Sequence, residues 1–210
     1  IRDKMENIGI PLKEWDISIN YGIKTGFNKA FIIDTATKDE LISRDSKSAE
    51  LIWPILRGKD IKRYTANWAD LWLINTHNGF KTATGTIGPI NVNKYPAIKR
   101  HLDQYYEQLK KRADQGVTPY NLRNCAYVND FKKEKIIFQE IVQEPMFCYD
   151  ESDHYFCVDT GRIITTEKVK YLIAFLNSAL FFYSMKYYYG GGGLGNTGIR
   201  MKHTFFQNCP

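Results

Sequence analysis

The feature that most restricts the fold lies between residues 135 and 187. Short β-type runs at 136–142, 146–149, 155–158 and 163–165 follow one another closely, separated by the acidic turn at 150–153 and by Gly161. Connections this short join antiparallel neighbours, since a parallel pair needs a crossover of about a dozen residues or more. Thr166 then opens a helical pattern that runs to about residue 187, with Val169, Leu172, Ile173, Leu176 and Leu180 on one stripe. The expected architecture is mixed α/β (α+β): a central, largely antiparallel sheet with flanking helices, one of them a long C-terminal helix.

Upstream signals are weaker. Residues 1–8 read as a helix stopped by Gly9 and Pro11. Residues 16–21 alternate as a strand, 30–34 form a second β run, and the loop from Gly22 to Gly26 between them reads as a tight strand connection. Residues 39–56 read as helical turns broken at Pro54, and 71–75 as a strand. A helix is predicted over 96–112, because Ile98, Leu102, Tyr105, Tyr106 and Leu109 recur at helical spacing and Pro96 suits a first turn. No internal repeat interrupts the 210 residues, a length suited to one domain with an appendage.

Charge is segregated along the chain. The net charge is +6, compatible with a nucleic-acid partner without establishing one. Arg57 to Tyr64 holds four cations and one acid, and Lys186 to His203 three cations and no acid, whereas Glu140 to Asp159 holds six acids and no Lys or Arg. One face is therefore expected to meet a polyanion. Cys125, Cys148, Cys157 and Cys209 contain no C-x-x-C pair and no signal peptide opens the chain, which fits a reduced cytoplasmic compartment. The longest near-apolar run, 171–185, is too short to cross a bilayer and carries Asn177, Ser178 and Ser184, so no membrane role is expected. An opening at Ile1 and a close at Cys209-Pro210 suggest a piece of a longer chain.

Catalytic patterns find little support. Gly190, Gly192 and Gly195 satisfy G-x-G-x-x-G, yet they follow a helix rather than a strand, and Asn196-Thr197 stands where a P-loop needs its lysine. Six glycines in the nine residues 190–198 make a mobile loop the expected reading. Cys148, His154, Cys157 and Asp153 lack the paired spacing of structural zinc sites. Asp60 and Lys62, with Asp34, Asp39 or Asp45 upstream, offer only a short fragment of a Mg²⁺ nuclease pattern, and their cationic neighbours suit ion pairing or phosphate contact. No Pro-Pro-aromatic loop of the kind that amino-group DNA methyltransferases use is present, and no S-adenosylmethionine site is visible. The chain has binding chemistry without a catalytic centre.

Several segments, taken in order, carry a resemblance: GIKTGFNKAF at 22–31, PILRGKDIKRY at 54–64, YP at 95–96 leading a helix, TPYNLRNCAY at 118–127, KII at 135–137 before FCYD at 147–150, and YLIAFLNS at 171–178. Together they resemble the TaqI-like C-terminal specificity domain, the target-recognition module of type II restriction-modification DNA methyltransferases. The chain departs from that pattern at Pro119, where family members often carry an aromatic residue before the tyrosine. The resemblance implies a connector helix over 1–15 from an upstream methyltransferase domain, often adenine-specific and sometimes fused to a nuclease, and a DNA-recognition domain over 16–210. S-adenosylmethionine, and Mg²⁺ where a nuclease is fused, would belong to those other domains. The partners implied are double-stranded DNA and the parent chain's own methyltransferase domain.

Candidate DNA-binding residues follow from the chemistry. Phosphates are met by Lys and Arg, and base edges are read by Arg, Lys, Asn and Gln. The 22–31 loop offers Lys24, Thr25, Asn28 and Lys29, expected to influence base preference. Arg57, Lys59, Lys62 and Arg63 form the densest cluster, expected on phosphates, with Asp60 orienting a neighbouring cation. Arg200 and Lys202 flank the glycine stretch. The Asn177-Ser178 pair inside the long helix is read as packing rather than DNA contact. The competing functions are a Mg²⁺ nuclease on Asp60 and Lys62, and a subunit-docking domain without DNA contact.

Overall fold

The computed structural model describes residues 1–151, 154–190 and 198–210. The expected mobile loop lies almost wholly outside the described residues, at 191–197.

Helix α1 (Arg2–Ile8) leads through a 3-10 turn to strand β1 (Ser18–Tyr21). A helical turn α2 (Asn28–Phe31), strand β2 (Ile32–Asp34) and helix α3 (Thr35–Arg44) follow, α3 being capped by Asp34, whose carboxylate accepts from the Thr37 N–H at 2.8 Å. Next come β3 (Ile52–Leu56), β4 (Leu71–Ile74), a small hairpin of β5 (Phe80–Thr82) and β6 (Gly85–Ile87), and helices α4 (Pro96–Asp103) and α5 (Tyr106–Lys111). The second half holds β7 (Lys135–Gln139), β8 (Ile141–Val142), β9 (Phe147–Asp150), β10 (Phe156–Cys157) and β11 (Gly161–Thr165). Helices α6 (Val169–Leu176) and α7 (Ala179–Ser184), strand β12 (Ile199–Arg200) and helical turn α8 (His203–Phe206) complete it.

Strands β1-β11-β7-β9 form one four-stranded sheet, antiparallel throughout, and β10-β3-β4-β2 a second, antiparallel except between β10 and β3. The first sheet is the middle layer, and period-two alternation is the reason. Ile136, Phe138 and Ile164 turn to a core shared with α6, α7 and α8, while Ile137 and Ile163 turn to the core shared with the second sheet. Both β7 and β11 are consequently apolar runs buried on both faces. Aromatic rings fill the helical side: Phe138 lies 5.2 Å from Phe147 and 5.4 Å from Phe206, centroid to centroid.

The mixed architecture and its largely antiparallel pairing are as expected; the single long C-terminal helix is not. It breaks at Asn177-Ser178, because Ser178 caps a new helix by accepting from the Phe181 N–H at 3.1 Å. The buried Asn177 amide bonds both backbone groups of Phe147, accepting at 3.1 Å and donating at 2.8 Å, which pins the break to β9. A π-type turn over Met185–Tyr189 follows α7.

The predicted 96–112 helix is likewise two, since the Gln104 and Tyr105 N–H groups bond carbonyls three residues back and tighten the chain into a bend. Residues 52–56 are a strand, not a helical turn. Pro54 sits where the pairing with β4 ends and that with β10 begins at Ile55, so its missing N–H is tolerated. Residues 22–26 join two different sheets rather than two paired strands. Among the described residues no helix is long and apolar enough to cross a membrane.

Candidate nucleic-acid interface

One end of the central sheet collects chain segments that are far apart in sequence. Strand β1 ends at Tyr21 opposite Arg162, and β7 ends at Gln139 opposite Gly161. The Gly22 N–H donates to the Gly161 carbonyl at 3.0 Å, and the Val158 N–H to the Leu56 carbonyl at 3.0 Å, which brings the exit of β3 to the same end. Gly58, just beyond that exit, lies against Gln139 and Thr160. β12 pairs with β8 and sets Arg200 beside Glu140. Lys24, Arg57, Lys59, Arg162 and Arg200 therefore converge from four separate segments.

Local geometry explains the glycines of the 22–26 loop. A Cβ at position 22 would stand 1.9 Å from the Val158 carbonyl oxygen, and Gly26 has φ +67°, a left-handed conformation costly for other residues. The loop is tied down by Arg112. Its buried guanidinium donates to the carbonyls of Thr25 and Asn121, of Asp114 at 2.9 Å and of Pro119 at 3.0 Å. Burial pulls the Arg112 pKa down to about 10, which still leaves it charged near neutrality. Thr25 is buried and donates to Asn28 Oδ1 at 2.5 Å, so it shapes the loop from within. Lys24, Asn28 and Lys29 are exposed.

Acids hold several of these cations in place. Asp114 stands 3.7 Å from Lys24 and 2.9 Å from Arg123. The Arg162 guanidinium lies 3.9 Å over the Tyr21 ring, donates to the Asp159 carbonyl at 2.7 Å and pairs with Glu140, which also stands 3.8 Å from Arg200. Arg57 and Asp60 lock the turn after β3: the Asp60 carboxylate accepts from the Arg57 N–H at 2.8 Å, from Nε at 2.9 Å and from Nη2 at 2.8 Å. Burial alone would raise the Asp60 pKa, but the bonds and charge of Arg57 outweigh it and hold the carboxyl below the usual range. Arg63 leaves the cluster, donating to the Asn177 carbonyl at 2.9 Å in the helical layer. Lys62 is half-buried, and Lys202 is exposed beyond β12.

Between the 21–24 and 122–128 segments lies a cleft of about 540 Å³ whose walls include Lys24, Arg123, Arg162, Asn75 and His77. Burial raises the Cys125 pKa to about 11, so this cleft residue is a neutral thiol near pH 7 and no nucleophile. Among the described residues no group of three or more His, Cys, Asp or Glu side chains is placed to hold a metal ion. Cys148 and Cys157 are buried in the core.

The sequence profile of the TaqI-like C-terminal specificity domain matches residues 53–193 of the chain. The chain belongs to that family. No curated protein sequence matches it. Among solved structures, the type IIL restriction-modification enzyme MmeI, determined in complex with DNA, matches with TM-score 0.68 and 13% identity, over 94% of this chain and 25% of that one. The type IIG restriction endonuclease BpuSI matches with TM-score 0.57 and 14% identity, over 98% and 24%. At such identities the likeness is one of fold, and the chain spans about a quarter of the length of either enzyme.

Within this specificity domain the expected residues divide. Lys24, Arg57, Lys59 and Arg200 come together at the sheet end; Arg63 turns to the helices, Thr25 is internal, and Asn28 and Lys29 lie on the adjoining turn α2. Sequence reasoning missed Arg123 and Arg162, and also Arg112, whose role is to fasten the loop. A signal for Arg162 was present: an arginine inside an otherwise apolar strand must find partners when buried. Nothing local marks Arg123, whose position depends on a fold-back of the 112–123 segment.

Proposed function

We propose that this specificity domain recognises a DNA target for a restriction-modification enzyme, and that it is itself non-catalytic. One observation carries the reading: cations from separate segments meet at a single end of the central sheet, where a phosphate backbone can be followed. Family membership supports it, as does the fold shared with MmeI, whose structure contains DNA. In this reading Arg57, Lys59, Lys62, Arg200 and Lys202 meet phosphates, and Lys24, Asn28 and Lys29 approach base edges. Residues 1–15 connect to an adenine-type methyltransferase domain of the same polypeptide, residues 16–210 read the site, and S-adenosylmethionine, with Mg²⁺ for any fused nuclease, serves the other domains.

A salt titration by fluorescence anisotropy with duplex DNA tests the reading. Two or more neutralised phosphates make affinity fall at least about tenfold between about 50 and about 200 mM salt. Lys59→Ala and Lys62→Ala should weaken all sequences alike, whereas Lys24→Ala or Asn28→Ala should alter base preference. Absence of binding, or a flat salt response, sinks the proposal in favour of a docking role. Mg²⁺-dependent plasmid cleavage abolished by Asp60→Ala would replace it with a nuclease.

A further inference from the structure

The cleft between the 21–24 and 122–128 segments contains chemistry that backbone contact does not use. Asn75 is buried, and its Oδ1 has no hydrogen-bond partner among the described residues. His77 supplies the complementary group. Its Nδ1 accepts from the Gly79 N–H at 3.1 Å, so the ring proton sits on Nε2, and burial, helped by the charge of Lys132, pulls its pKa down and keeps the ring neutral. Both residues line the cleft, together with Asn124 and Tyr127. At its rim, Lys24 and Arg123 both reach Asp114. A volume of about 540 Å³ is in the range of small-ligand clefts, about 300–1,000 Å³.

An acceptor, a neutral donor and an aromatic ring inside, with two cations at the mouth, match a flat heteroaromatic ring bearing an anion. The geometry points to a single-nucleotide site, with an unstacked base against Asn75, His77 and Tyr127 and its phosphate on Arg123 in place of Asp114. The nucleotide can come from a DNA strand or be free in solution. Only the strand-borne source rests on the DNA-recognition reading.

Calorimetric titration of the whole chain with dAMP, dGMP, dCMP and dTMP, and with inorganic phosphate as control, tests the site. At least one mononucleotide should bind one-to-one, about tenfold or more tighter than phosphate, and Asn75→Leu and Asn124→Ala should each cost about tenfold. Asn124 is exposed, so its variant should melt like the parent even if Asn75→Leu disturbs folding. In a second arm, a duplex with one central unpaired nucleotide is compared with the fully paired duplex. A preference for the unpaired form that Asn124→Ala erases, with paired-duplex affinity unchanged, supports the strand as source. Mononucleotide binding without that preference supports the free nucleotide, and it stands even where no duplex binds and the DNA reading has failed. If neither ligand responds to Asn75→Leu or Asn124→Ala, the site is refuted.

Discussion

Arg112 is the side chain whose removal best tests how the loop at the sheet end is held. Its guanidinium donates to four carbonyls, those of Thr25, Asp114, Pro119 and Asn121, drawn from three stretches of chain. Charge-assisted bonds contribute about 1.5–3 kcal/mol each, so the set is worth about 6 kcal/mol at the low end. Opposing this is the cost of burying the charge. Burial pulls the Arg112 pKa down to about 10, and its buried Nε has no hydrogen-bond partner among the described residues, so roughly half of the gross figure is expected to survive. Arg112→Met, which keeps the alkyl length, should therefore lose about 3 kcal/mol, or about 6–12 °C in Tm for a domain of this size. Arg112→Lys keeps a charge but not the fork, and should recover less than half of that loss. Urea unfolding of the three proteins measures the differences. A Met variant within about 1 kcal/mol of the parent would mean that the carbonyls find water instead, refuting the role assigned to Arg112.

Asp60→Asn tests the turn after β3 by its pH dependence. Because the folded Asp60 carboxyl lies below its ordinary value, its stabilisation is present above about pH 4 and lost as pH falls through the lower folded pKa. The variant should be less stable than the parent by about 1–3 kcal/mol near pH 7, with the gap closing toward pH 3 or below, read from urea midpoints. Asn177→Leu strips both backbone partners from Phe147 in a buried site and should cost about 2–4 kcal/mol in the same assay. Phe138→Ala opens the aromatic cluster against Phe147 and Phe206 and should cost about 3–5 kcal/mol by thermal melting.

How much of this was legible beforehand follows the range of the interactions. The strands β7, β9, β10 and β11 were visible because each is a run rich in apolar residues closed by a turn, and in β7 and β11 burial on both faces left few polar letters to confuse the pattern, whereas the two-residue β12 carried no such run. The helix boundaries were misplaced where a side chain reaches a distant backbone. Ser178 carried a capping signal, but its force depended on Asn177 finding Phe147, thirty positions away. Pro54 suggested a helix break, whereas the pairing of β3 with β4 and β10 decided for a strand. For the interface, the dense cluster at 57–63 stood out by composition. Which of its members face the sheet end was not readable, since Arg63 leaves for a carbonyl in the helical layer.

The arrangement of acids limits what the basic end can do. Lys24, Arg57, Lys59, Arg123, Arg162 and Arg200 stand there with Asp60, Asp114, Glu140 and Asp159, a surplus of only two positive charges. If all four acids stay in place, only about two phosphates are neutralised, and the logarithmic salt slope should be about −2. If phosphates displace Asp114 and Glu140, as their exposed partners Arg123 and Arg200 allow, the slope steepens toward about −4. Asp114→Asn separates the two cases. With the acids retained it adds a net positive charge and steepens the slope by about one; with Asp114 already displaced it leaves the slope nearly unchanged and raises affinity, because the competition for Lys24 and Arg123 is gone.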